Sequence, residues 1–344
     1  MSERDRKAVA VWLVIVCGLI FVMVVLGGVT RLTESGLSMT EWRPVTGWLP
    51  PLGQTAWQGA FDAYKDSPEF RKINFSMGLD DFKTIYWFEY SHRLLGRLIG
   101  IAFFVPFVWF LARGRLDASL TAKLAVIFVL GGLQGAVGWF MVASGLVDRP
   151  YVSQYRLALH LGLAVLIYAL ILLVALRLVV RPVYGIAEVA IDRLRCGSWW
   201  LVALIGLTML AGAFVAGLDA GHAYNTFPLM DGRLVPQAYL DSRPWWINPF
   251  ENIAAVQFDH RVLAVLTLAA VLAFAFWAQR FNLSRGSSAM IGALAAVVLA
   301  QFALGVATLL LFVPVWLGAL HQAGALVLLT LTLLATQRLR RQLA

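Results

Sequence analysis

A carboxylate, a histidine and two arginines lie close together in one otherwise apolar segment of the sequence. Glu89 precedes His92 by three residues, and Arg93 and Arg97 form a neighbouring row four residues apart. On a helix, residues three or four positions apart share a face. Ionisable residues are rare in membrane-spanning helices and usually have a function there. The segment therefore indicates a buried chemical site.

Histidines recur in comparable places further along the chain, each near the start of a long apolar run. The four are His92, His160, His260 and His321. Neutral imidazole is a good axial ligand for haem iron, and a porphyrin needs an apolar slot with cations beside its propionates. The arginines placed to meet propionates are Arg93, Arg97 and Arg261. We interpret the histidines as two pairs of haem ligands.

Other uses of these residues fit the pattern less well. Structural zinc needs a tetrahedral set of ligands, which neither pair of histidines supplies. A proton relay could combine Glu89 with histidines, but it would not require pairs that occur twice. A lone histidine in an apolar helix is commonly a hydrogen-bonded core residue, whereas four in matched positions favour a shared role.

The composition indicates which elements position these residues. Of the 344 residues, 60% are hydrophobic and 14% are charged, and the mean hydropathy is +0.76. A soluble domain of this length is far less apolar. We predict an all-α integral membrane protein with eight helices that cross the bilayer core of roughly 30 Å. The predicted spans are residues 9–29, 84–112, 121–144, 154–180, 197–218, 253–279, 288–313 and 316–337.

Lysine and arginine are unevenly distributed between the segments that join these helices. They are concentrated on the side that contains the N-terminus, and the short segments on the other side contain few of them. The positive-inside rule therefore predicts that both termini are cytoplasmic. The formal net charge of +9 follows from this topology, and we expect no nucleic-acid binding.

The order of the motifs repeats along the chain. Residues 1–185 and 186–344 each contain four predicted helices, an outer loop after the first helix, and one pair of histidines. This order predicts two duplicated four-helix bundles with the same orientation. Each histidine is predicted to lie about five to eight residues beyond an outer helix start, which puts all four in one layer.

The first outer loop contains tryptophans, which suit a membrane surface. The segments Arg31–Trp42 and His222–Asp231 occupy equivalent positions above the histidines. We expect them to act as lids that limit water access to the pockets. A cap that merely shields the helix ends is the alternative. His222 is expected to be a hydrogen-bonding loop residue rather than a ligand.

Several of these segments, taken together, resemble the haem A synthase family over essentially the whole chain. The matching segments are Gly27–Ser38, Glu89–Arg93, Tyr224–Gly232 and Asp259–Arg261. The resemblance implies an enzyme of the bacterial cell inner membrane that oxidises the C8 methyl group of haem O to a formyl group, through hydroxylated intermediates and with water as oxygen source. It also implies a bound haem b, with haem O synthase, oxidase assembly factors and membrane lipid as candidate partners.

The cysteines depart from part of that family. Some members carry a cysteine pair in the first outer loop, whereas this chain has only Cys17 in the first helix and Cys196 at a cytoplasmic helix start. These two are too far apart for a disulfide. The chain resembles the cysteine-free branch found in proteobacteria and mitochondria, so no redox-active disulfide is expected.

One sequence difference between the two halves indicates which of them binds the substrate. Glu89 stands three residues before His92, whereas Gln257 stands three residues before His260. Oxidation of a methyl group releases protons, which a carboxylate could accept. We therefore predict that residues 1–185 hold haem O beside a catalytic Glu89, and that residues 186–344 hold haem b. The predicted substrate-haem residues are His92, His160, Arg93 and Arg97, and the predicted haem b residues are His260, His321 and Arg261.

Both the role of Glu89 and the function of the whole protein have an alternative interpretation. Glu89 could simply pair with Arg93 one helical turn away. For the whole protein, a bis-haem membrane electron-transfer cytochrome is the main alternative function. It would need haem sites near both membrane faces, whereas all four histidines are predicted near one. A transporter of haem, or one coupled to protons, would need an inner gate that the sequence does not supply.

Overall fold

The computed structural model describes residues 1–42, 46–143, 145, 151–180, 188–281 and 283–340, and this part of the chain contains helices but no β-strand. In chain order the helices are α1 (Glu3–Leu32), α2 (Gln54–Lys65), α3 (Pro68–Lys72), α4 (Leu79–Ala112), α5 (Ala118–Ala143), α6 (Gln154–Val179), α7 (Glu188–Gly217), α8 (Asn248–Glu251), α9 (Ile253–Ala278), α10 (Arg285–Leu310) and α11 (Val315–Arg338). Two short 3-10 helices, Ala220–His222 and Trp245–Ile247, lie between α7 and α8.

The predicted class is confirmed, because eight helices within the described ranges are long and apolar enough to cross a membrane. Each corresponds to one predicted span. The predicted boundary between residues 185 and 186 lies outside the described residues.

The expected spacing between helix start and histidine is wrong for His92. Helix α4 begins at Leu79 rather than near residue 84, so His92 lies more than three turns into it. Apolar periodicity marks the membrane crossing, but the helix starts earlier with a polar turn that contains Asp80 and Asp81. The side chain of Asp81 accepts a hydrogen bond from the backbone N–H of Gly78 and caps this extension.

The long helices pack in two adjoining groups. Helices α1, α4, α5 and α6 contact one another in succession, and α7, α9, α10 and α11 do the same. The groups meet where α1 and α6 pack against α7 and α11. The interface includes a hydrogen bond from Nε2 of Gln322 to the carbonyl oxygen of Val24. Arg31 also reaches across it, to Asp219 at 2.8 Å.

Much of the apolar core lies in the half of the bundle away from the two long loops. Its fully buried members include Leu13, Leu124, Leu194, Ile291, Leu294 and Leu333. Such packing stabilises helix association in a bilayer through van der Waals contact, because lipid offers no hydrophobic driving force. The loop-side half is packed less completely, and the site described below lies there.

The first long loop is partly helical. Its helix α2 packs against the polar start of α4 through an aromatic cluster. The buried members of this cluster are Phe61, Tyr64, Phe82, Ile85, Tyr86 and Tyr90. Burying this much aromatic surface fixes the loop firmly against α4. The cluster therefore holds the loop residues that face the interior in defined positions.

Candidate functional site

One large cavity opens at the loop side of the bundle. Its volume is about 1090 Å³, and all four histidines line it. Drug-sized ligands usually occupy pockets of about 300–1,000 Å³, so this cavity is large enough for a bulky planar group. The structure thus brings His92, His160, His260 and His321 together around one space.

Each histidine ring packs against a glycine on a neighbouring helix. The pairs are Gly27 with His92, Gly138 with His160, Gly212 with His260, and Gly305 with His321. A β-carbon at Gly305 would lie 2.7 Å from Cε1 of His321, which is closer than β-carbons normally approach other atoms. The glycines therefore leave room for the imidazoles between the helices.

Two glutamines repeat a second contact with the histidines. Nε2 of Gln134 donates to the carbonyl oxygen of His160 at 3.0 Å, and Nε2 of Gln301 donates to that of His321 at 2.8 Å. The same amide nitrogen of Gln301 lies 3.1 Å from Nδ1 of His321. Partners of this kind fix the rotation of a ligating imidazole.

The spacing of His260 and His321 fits an iron between them. Their ring centroids are 6.5 Å apart and their planes are nearly perpendicular, at 88°. A metal bound to two imidazole nitrogens at about 2 Å each would place the ring centres about 6 Å apart. In the described part of the chain, Nδ1 of His260 is buried without a hydrogen-bond partner, as is Nδ1 of His160. Buried polar atoms without partners are unusual, and these suit ligands.

Glu89 is almost fully buried and has three donors around it. Its side chain accepts hydrogen bonds from Nη2 of Arg93, from Oγ of Ser38 at 2.7 Å and from the backbone N–H of Met39 at 2.6 Å. The expected pairing with Arg93 is therefore present. The carboxylate also anchors the first outer loop to α4, and it lines the cavity.

Gln257 anchors the second outer loop with the opposite polarity. Its Nε2 donates to the carbonyl oxygen of Ala220 at 2.6 Å, and its Oε1 accepts from Nη2 of Arg261 at 2.9 Å. Glu89 thus binds hydrogen-bond donors of its loop, whereas Gln257 binds a carbonyl oxygen of its loop. It also leaves the cavity wall at α9 uncharged at this position.

Two of the three predicted propionate partners also bind loop carbonyl oxygens. The guanidinium of Arg93 donates to the backbone carbonyl oxygens of Glu41 at 2.8 Å and Met39 at 3.0 Å. That of Arg261 donates to the backbone carbonyl oxygens of Thr226 and Tyr224. All three arginines line the cavity, and the guanidinium of Arg97 lies 5.7 Å from the ring centre of Trp48. Nε of Arg261 is buried and has no hydrogen-bond partner among the described residues.

Both predicted lid segments border the cavity. Arg31, Glu34, Leu37 and Trp42 line it from the first loop, and His222 and Phe227 line it from the second. His222 is exposed and sits in a 3-10 helix above the histidine layer. The loops are therefore close enough to cover a bound group, as a lid role requires.

Sequence reasoning missed the purpose of the glycines and glutamines. Gly138 makes room for an imidazole, a role that a glycine in a membrane helix does not reveal, because glycine is common there for packing alone. A signal was visible, because Gln134 and Gly138 share the spacing of Gln301 and Gly305. The buried carboxylate of Glu69, in α3, also lines the cavity and gave no signal.

We expect Gly305→Ala to lower the haem content of the purified protein strongly. The new methyl group would displace the His321 ring, and overpacking of this kind costs about 1–3 kcal/mol. The control is Gly292→Ala on the same helix, because a β-carbon there meets no atom within 4 Å. Optical spectra and thermal unfolding check both variants. Equal haem content in the two variants would contradict the proposal that Gly305 makes room for the His321 ring.

Known proteins resemble this chain over almost its whole length. Residues 10–333 match the COX15-CtaA family, described as cytochrome oxidase assembly protein. The haem A synthase of Nitrosospira multiformis is 51% identical over 340 residues, which cover 98% of this chain and 95% of that protein. That of Rhodospirillum centenum is 51% identical over 327 residues, covering 95% and 87%. The chain therefore belongs to the cytochrome oxidase assembly family that includes the haem A synthases.

Proposed function

We propose that this protein oxidises the C8 methyl group of haem O to a formyl group, with haem b as its resident cofactor. Family membership supports an enzyme of haem A biosynthesis. The observation that carries the finer proposal is the His260–His321 pair, whose ring centres are separated by about the distance that an iron ligated on both sides needs.

Residues 1–185 and 186–344 would each bind one of the two haems. The C-terminal part would hold haem b on His260 and His321, where Gln257 leaves the wall uncharged. The N-terminal part would hold haem O on His92 and His160, beside the carboxylate of Glu89. The different environments of Glu89 and Gln257 support this division, because only one of them can take up a proton.

The residues around the substrate have separable tasks. Haem b, when bound, supplies a redox-active iron. His92 and His160 would fix the substrate ring within the cavity, and Glu89 would accept a proton on one of its carboxylate oxygens as the methyl group is oxidised. Arg93 keeps Glu89 oriented. The loop that Glu89 and Arg93 both hold would limit the entry of bulk water while admitting the water that supplies the oxygen.

The proposed setting is the inner membrane of a bacterium, with both termini in the cytoplasm. The distribution of lysine and arginine supports that orientation. The cavity would then open toward the outer face. Haem O synthase is a proposed partner, because it would deliver a substrate that is poorly soluble in water, and oxidase assembly factors would receive the product.

The position of the histidines argues against a transmembrane electron-transfer cytochrome. Such a protein would pass electrons between haems near opposite faces. All four histidines line one cavity at the loop side of the bundle, and the other side is filled by packed apolar residues.

Expression in bacteria that make haem O but lack their own haem A synthase tests the function. We expect haem A in extracts of cells that express this chain, and only haem O and haem b in cells with an empty vector. Chromatography with mass spectrometry identifies each haem. Extracts that contain the protein in its haem-loaded form but no haem A or hydroxylated intermediate would contradict the proposal.

A further inference from the structure

Glu69 is a second buried carboxylate on the wall of the cavity. It lies in α3, within the first long loop, and only 4% of its surface is exposed. Its Oε2 accepts a hydrogen bond of 2.9 Å from the hydroxyl group of Tyr64, whose oxygen in turn accepts one of 2.8 Å from Nδ2 of Asn74. Neither Glu69 nor Tyr64 has a role in the site described above.

The surroundings of Glu69 favour its protonated form. Burial raises the pKa of Glu69 to about 7, the hydrogen bond from Tyr64 opposes this shift, and the negative charges of Glu89 and Glu34 add to it. Burial also raises the pKa of Tyr64, which therefore stays a neutral donor. A carboxyl group that titrates near neutral pH is suited to accept and release protons.

Three carboxylates of the N-terminal part line the cavity, and two of them are buried while the third is exposed. Glu89 is 2% exposed and Glu69 is 4% exposed, whereas Glu34 lies at the surface. Glu89 is held by three donors, but the described residues give Glu69 one hydrogen-bond donor, Tyr64. A lightly held carboxyl group that shares a cavity wall with a buried and an exposed carboxyl group can pass a proton outward.

Among its described residues, the C-terminal part has no such series. Gln257 replaces Glu89 there, and Asp219 is the only acidic side chain of residues 188–340 that lines the cavity among those described. Asp219 is bound by Arg31 at 2.8 Å. It has the same left-handed backbone conformation as Glu34, with φ of 51° in both. A proton outlet is therefore available on one side of the cavity.

We propose that Glu69 is a proton-transfer residue, which receives protons released at the substrate near Glu89 and passes them by way of Glu34 to the outer water. This inference rests on the proposed oxidation. Conversion of a methyl to a formyl group adds one oxygen from water and releases four protons and four electrons. The electrons leave separately, to a one-electron acceptor in the membrane, and the protons need an outlet of their own.

The test compares Glu69→Gln with Asp66→Asn, a change of an exposed carboxylate in the same loop. Below a pH of about 7, Glu69 is protonated and cannot accept a further proton, so the wild-type rate of haem A formation should rise through that pH. We expect Glu69→Gln to lower the rate about tenfold or more and to remove this rise. Asp66→Asn should leave both unchanged, and Glu69→Asp should restore part of the rate.

Infrared spectra give a readout that does not depend on turnover. Wild-type protein should show a protonated carboxyl band that titrates near neutral pH and is missing in Glu69→Gln. A wild-type rate and pH profile in Glu69→Gln would overturn the proposal, as would a band that persists in that variant. If the wild type made no haem A, the proposed oxidation would fail, and the infrared titration would still decide whether Glu69 is the near-neutral acid of the cavity.

Discussion

Replacing His260 or His321 by alanine is expected to remove the low-spin haem b spectrum of the purified protein. Each ring is one side of a pair whose centroids lie 6.5 Å apart, and loss of either would remove one of the two imidazoles that would hold the haem. Optical and electron paramagnetic resonance spectra of the reduced and oxidised proteins measure the effect. Haem A formation should stop as well, because the proposed redox centre would be lost.

The control for this experiment is His222→Ala. His222 also lines the cavity, but it is exposed and belongs to a loop. We expect that variant to keep a bis-histidine spectrum. An unchanged spectrum in both His260→Ala and His321→Ala would refute the assignment of haem b to the C-terminal part, and loss of the spectrum in His222→Ala would show that a ligand had been overlooked.

Glu89→Gln is expected to leave the protein folded with haem b bound, while haem A formation falls by about 10²-fold or more. The amide has nearly the same shape but cannot accept a proton from the reaction. Haem O or its hydroxylated intermediate should accumulate instead. Quantification of the haems extracted from purified protein measures the amount of haem A relative to haem O and the hydroxylated intermediate.

Glu89 also anchors a loop, so its chemical role needs a separate control. Ser38→Ala removes one hydrogen bond to Oε2 of Glu89 but leaves the carboxylate and its contact with Arg93 in place. If loop anchoring were the whole role of Glu89, Ser38→Ala would cause a comparable fall in haem A. A near-normal yield from Glu89→Gln would exclude Glu89 as a catalytic residue.

The transmembrane fold was predictable because apolar runs of sufficient length leave few alternatives. The helix ends were less predictable. Helix α4 continues into the first outer loop, where aromatic contacts from Phe61 and Tyr64 to Phe82 stabilise turns that carry charged residues. Tertiary contacts of this kind have no counterpart in the hydropathy of α4 itself. The polar helix α2 likewise depends on packing against α4, and α3 packs against α2 through Phe70.

The histidines and the arginines near them could be singled out as candidates because charged and polar residues stand out in an apolar sequence. Gln134, Gln301 and the glycines that contact the imidazoles were harder to assign, since glycine is common in membrane helices for reasons of packing alone. Glu69 lies in a polar loop among many carboxylates. Only its burial in the folded protein distinguishes it from exposed neighbours such as Asp66.

The most direct test of the division between the two halves is the haem content of a double variant, His92→Ala with His160→Ala, purified from cells that also make haem O. We expect this protein to retain haem b on His260 and His321 but to carry neither haem O nor haem A, while wild-type protein carries all three. Loss of haem b from the double variant, with haem O or haem A still bound, would contradict this division.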